Sequence, residues 1–143
     1  MTRVLRRLAA NTRGSAIVEF AILAPAILML FVGILQIGLW MQSYNALRSV
    51  AADTGRYVAV EYQKSNQINN LTMALWARDH AIDTYMFQEA KISTDVSDAA
   101  TQSIAGVTEK TLTLNYTMPS IFGIAGIGDI DVTFQRPIFI KAT

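Results

Sequence analysis

The chain has 143 residues, no cysteine and a formal charge of +1, which leaves room for one small domain and excludes disulfides, thiol nucleophiles and thiolate metal sites. The near-neutral total hides an asymmetry: Arg3, Arg6, Arg7 and Arg13 precede any acid, and from Ser15 onward 8 basic residues (12 minus 4) face 11 acidic ones. A downstream part that is mildly acidic argues against nucleic acid as a partner.

The first element is an apolar helix. No charged residue occurs between Glu19 and Arg48, and the run from Phe20 to Met41 is almost wholly apolar. Roughly 20 such residues cross a bilayer as a helix, and Trp40 and Tyr44 fall where an interfacial aromatic belt belongs. A soluble domain this small cannot surround so long an apolar rod. The arginines ahead of the run put Met1 in the cytoplasm and the C-terminal part outside, by the positive-inside rule. Ala24-Pro25-Ala26 has the small residues of a secretory cleavage site, but it lies in the middle of the run, where a signal peptidase would not cut. The expected layout is a cytoplasmic basic leader over 1–14, a transmembrane helix over 15–42 and an extracytoplasmic domain over 43–143.

The edge of the span carries a pattern of its own. In Arg13-Gly14-Ser15-Ala16-Ile17-Val18-Glu19-Phe20 a glycine stands at the mouth of the apolar run and a glutamate follows five residues later. This resembles the processing site of type IV prepilins, which a prepilin peptidase cuts after the glycine. Val18 to Pro25 (VEFAILAP) and Ala51 to Tyr57 (AADTGRY) resemble, more narrowly, the TadE-like family of the tight-adherence (Tad/Flp) pilus machinery. The resemblance covers roughly residues 13 to 62. It implies a bacterial inner-membrane protein that partners a prepilin peptidase, other pilin subunits, the pilus assembly platform and membrane lipid. It implies Gly14 and Ser15 as the processing site, and Glu19, Phe20 and Pro25 as assembly residues. The physics of Glu19 points the same way, because ionisable side chains at a membrane edge are expensive and mark functional sites. Cleavage would free an ammonium on Ser15, one helical turn from Glu19. That amine would meet Glu19 within the chain or on a neighbouring subunit. The other reading is that Glu19 reaches back and is solvated among headgroups. Pro25, lacking an amide donor, should kink or loosen the helix.

Beyond the span the apolar positions Tyr44, Leu47, Val50, Ala51, Tyr57 and Val58 keep a spacing of three and four, so the helix should continue to about Tyr62. Gly55 is its weakest point. Lys64 to Gln67 reads as a polar break. A second helix follows, with Asn69 or Asn70 as N-cap and Ile68, Leu71, Leu75, Ile82 and Met86 as its inward stripe against the first helix. From Lys91 the period changes to two: Ile92, Thr94 and Val96, then Leu112 to Met118, then Ile130 to Phe134 alternate with polar residues, as half-buried antiparallel strands do. Asp98 to Ala105 reads as a turn, and Pro137 restricts Ile138 to Ile140 to an edge or a bend. The fold class is therefore α+β, pilin-like, with two helices covering a small antiparallel sheet. The glycine-rich segment Pro119 to Gly128 carries Ile121, Phe122, Ile124 and Ile127. It either folds back over the sheet, the favoured reading, or presents an apolar binding surface.

Chemistry is hard to place. His80 is the single histidine, and beside Asp79 and Asp83 it reads as part of a solvated helix face, not a metal site. GIAGIG has the wrong spacing for a dinucleotide loop, and nothing pairs a nucleophile with a base. The expectation is a non-enzymatic pseudopilin or minor pilin that needs no cofactor and no metal. The alternative is a signal-anchored extracytoplasmic binding or sensor domain that never polymerises.

Overall fold

The computed structural model describes residues 13–141. The chain divides into two compact units, Met1–Ile37 and Gly38–Thr143. Helix α1 runs over Arg13–Gln63, 51 residues, so it ends one residue beyond Tyr62, where the sequence pattern ends it, and passes through Gly55 without a break. It also continues through Pro25. A proline there removes one amide donor, so the carbonyl of Ala21 lacks its helical partner. Between Ile17 and Leu30 the large apolar side chains are 56–72% exposed, as a lipid-facing surface requires. This one helix is long and apolar enough to cross a membrane.

In the unit Gly38–Thr143, α1 turns a single stripe inward: Leu47, Val50, Ala51 and Val58 are fully buried, with Tyr44 and Tyr57 packed at the margin. Thr54 joins them, and its hydroxyl donates to the carbonyl of Val50 at 2.8 Å, which satisfies the one polar group this stripe buries. The helix ends at the polar break. Ser65 takes a left-handed φ of 62°, and its N–H and that of Asn66 return to the carbonyls of Tyr62 and Glu61.

Helix α2 spans Asn70–Tyr85, and Asn69 is its N-cap, accepting from the Thr72 N–H at 2.8 Å. Its orientation differs in part from the sequence expectation: Ile68 is buried and Ile82 packs against the core as expected, but Leu75 is 49% exposed. The buried residues are Met73, Ala74, Ala77 and Ala81, whereas Leu71 and Met86 are 67% and 87% exposed. Alanine weighs little in a hydropathy pattern, but it allows close approach. The Thr94 hydroxyl reaches the α2 backbone itself, donating to the carbonyl of Ala74 at 2.7 Å. Leucine at that face would hold the helix away from the strand.

Three strands follow: β1 Ile92–Asp98, β2 Val107–Met118 and β3 Ile130–Lys141, in an antiparallel meander with β2 in the centre. The alternation holds: Ile92 and Val96, then Leu112, Leu114, Tyr116 and Met118, then Val132, Ile138 and Ile140 face the helices. The opposite face is polar, with Thr133 donating to Asn115 and Thr117 to Asp131 across the strands. β3 continues through Pro137, which sits opposite Thr111, and as an edge strand it tolerates the missing donor. In the segment after β2, Phe122 is half-buried. This segment forms a 3₁₀ turn over Ile121–Ala125, and Ile121 and Ile127 are exposed.

Surface carboxylates add a pH dependence. Hydrogen bonds from Lys110 and then Asn70 hold the Asp98 carboxyl below its usual range, and Lys91 with the Ser120 N–H does the same for Asp129. A carboxylate lowered on folding adds stability above its unfolded pKa and loses it as the pH falls through the folded value. Thermal unfolding of the detergent-solubilised protein should therefore move to lower temperature as the pH drops below the ordinary carboxylate range. High salt should blunt the change, because these groups are exposed.

Candidate functional site

The sequence-predicted site residues cluster at the start of α1. Gly14, Ser15, Glu19 and Phe20 are all exposed, and the Ser15 hydroxyl donates to Glu19 Oε1 at 3.0 Å. Glu19 thus reaches back one turn to the very residue whose amine cleavage would free. Gly14 has no packing reason to be glycine: a Cβ there would meet nothing within 4 Å among the described residues. Gly38 and Gly55 of the same helix are equally open, so what sets Gly14 apart is its place at the mouth of the apolar run, directly before Ser15. Pro25 lies inside the helix two turns on and is not brought into contact with Glu19 by any described interaction. The leader expected over 1–14 falls outside the described residues up to position 12.

A second cluster went unread in the sequence. Asp53 on α1 accepts from the Tyr85 hydroxyl at 3.1 Å and lies 3.2 Å from His80 Nε2. The Thr84 hydroxyl lies 3.2 Å from His80 Nδ1. The imidazole stacks on Trp76, with centroids 4.7 Å apart, and Trp76 stacks on Tyr57 of α1 at 4.4 Å and 2°. His80 is therefore not part of a solvated face, as the sequence suggested, but a link in an aromatic and polar joint between α1 and α2. Desolvation, and then the bond to Asp53, push the Tyr85 hydroxyl above its ordinary pKa, so it remains a donor at neutral pH. Two hydrogen bonds at a half-covered carboxylate contribute modestly, and Asp53→Ala should cost about 1 kcal/mol, read by urea unfolding of the solubilised chain. The joint left one signal in the sequence. Trp76 and His80 stand four apart, on one helix face.

Both clusters begin in the same stretch. Residues 14–56 match the family model described as TadE-like protein. This segment is TadE-like. The match contains Gly14, Ser15, Glu19 and Pro25 at one end and Asp53 at the other. Among the described residues one helix, which contains this segment, is long and apolar enough to cross a membrane, as a single-pass anchor would be. No curated protein and no solved structure matches the chain.

Proposed function

We propose that this TadE-like chain is a pseudopilin or minor pilin of a tight-adherence pilus. A prepilin peptidase removes its leader after Gly14, and α1 then inserts among the helices of other pilin subunits. The N-terminus starts in the cytoplasm and the unit Gly38–Thr143 lies outside. The protein is a structural subunit, not an enzyme.

The observation that carries this reading is the pairing of Ser15 with Glu19 directly after a glycine at the mouth of the apolar run. Cutting the Gly14–Ser15 bond converts the Ser15 amide into an ammonium. In a water-poor helix bundle a unit charge pair attracts far more strongly than in bulk water, although desolvation cancels much of the gain. Such a pair fixes the axial register between neighbours more than it adds affinity. The open apolar surface from Ile17 onward supplies the contact area.

Glu19→Gln tests the assembly role. The amide keeps the size and the hydrogen bond from Ser15 but has no charge. The variant should be trimmed normally and accumulate in the membrane, while sheared pilus fractions lose it. Pili that carry the variant at the parental level would remove Glu19 from assembly.

A further inference from the structure

We propose that, while the protein resides in its membrane, one end of the unit Gly38–Thr143 lies on the bilayer surface, with Met86 and Ile127 dipping into lipid. The inference rests on the membrane-anchor reading of α1 and not on leader cleavage or pilus entry.

The apolar run Phe20 to Met41 has 22 residues, about 33 Å of helix at 1.5 Å per residue, against a hydrocarbon core of about 30 Å. Met41 therefore stands at the outer hydrocarbon edge, and Gln42 and Ser43 at the headgroups. Within the same unit, the Ser43 hydroxyl contacts the sulfur of Met118 at 3.8 Å, at the last residue of β2. A cavity of about 240 Å³ opens at this level, lined by Leu39, Gln42, Met86, Phe87, Met118 and Pro119. These contacts set the Met118 end of the sheet at the depth of the headgroups.

What projects there suits lipid. Pro119 to Gly128 contains no charged residue, and its Ile127 is 52% exposed. Met86 is 87% exposed, in a left-handed conformation with φ of 57°. Its apolar side chain is thus almost wholly open to whatever medium lies beside this end of the unit. Trp40, partly exposed on the same stretch of α1, is the residue type that anchors at the interface. The turn at the far end of β2, 99–106, is likewise uncharged and its Ile104 is 51% exposed, so what sets the Met118 end apart is its contact with Ser43, just beyond the apolar run, and the exposed Met86 and Trp40 beside it. An amphipathic end beside a membrane exit gains free energy by meeting the bilayer and not water.

The absence of cysteine makes the test direct. Met86→Cys, Ile127→Cys, Thr101→Cys and Leu30→Cys are each labelled with an environment-sensitive fluorophore in the full chain. The chain is reconstituted in phosphatidylethanolamine–phosphatidylglycerol vesicles with and without nitroxide-bearing lipid. All four sites are exposed, so labels leave the core intact. The probes at 86, 127 and 30 should emit as in an apolar medium and lose most of their signal to nitroxide lipid, while the probe at 101 keeps its signal. Water-like, unquenched probes at 86 and 127 beside a quenched probe at 30 would overturn the inference and leave the anchor standing. An unquenched probe at 30 would remove the anchor itself. Quenching at 101 as well would mean loose adsorption of the whole unit, and efficient Ile127→Cys crosslinking between copies without quenching would make this a subunit contact; either result contradicts the inference.

Discussion

Leu114→Ala should remove about 2–5 kcal/mol of stability, the usual cost of emptying a fully buried leucine site. Leu114 is fully buried at the middle of the central strand, between Thr94 of β1 and Phe134 of β3, so both flanking strands hold the cavity open. Small domains have about 5–15 kcal/mol in total, and with no cysteine in the chain no crosslink restrains the unfolded state. The variant should therefore unfold at much lower urea concentration and accumulate poorly. Leu71→Ala is the matched control. Leu71 was read from the sequence as inward but stands exposed on α2, so its truncation should change stability by less than about 0.5 kcal/mol. A large loss at Leu71 would return the leucine stripe to the core.

Gly14→Leu should leave the leader on every molecule. Leucine is a better helix former than glycine by up to about 1 kcal/mol, and a Cβ at position 14 meets nothing within 4 Å. The substitution therefore leaves α1 and its membrane insertion intact, and its effect falls on the peptidase, which must bring its catalytic groups close to the backbone at this bond. Immunoblots should show one band at the unprocessed mass in the membrane and none in sheared pili. A band at the wild-type mass would show that Gly14 is not a recognition residue.

These two sites also mark what could be read in advance. The inward face of α1 beyond the span was legible because large side chains, Leu47, Val50 and Val58, repeat at helical spacing. The strands were legible for the same reason at period two, and of the two expected caps, Asn69 and Asn70, Asn69 is the one that caps α2. The face of α2 was not, because its buried side is built from Ala74, Ala77 and Ala81, and a contact that depends on small size leaves little hydropathy signal. The segment after Met118 combined glycine with isoleucine, a composition compatible with burial or with a lipid-facing surface. The Ser15–Glu19 contact follows from a spacing of four on one helix. The Asp53–His80 bond joins residues 27 apart on two helices, and only the packing of α2 on α1 brings them together. Without that packing, a lone histidine near two aspartates looks like ordinary solvated surface.

The account depends on α1 beginning, in the mature protein, with a charged amine one turn from an acid at the lipid boundary. N-terminal sequencing of the protein purified from its native membrane addresses this directly. The expected first residue is Ser15, followed by Ala16 and Ile17. A protein that still begins ahead of Arg13, with its arginine-rich leader attached, would contradict the pilus-subunit reading and leave an anchored domain that does not polymerise.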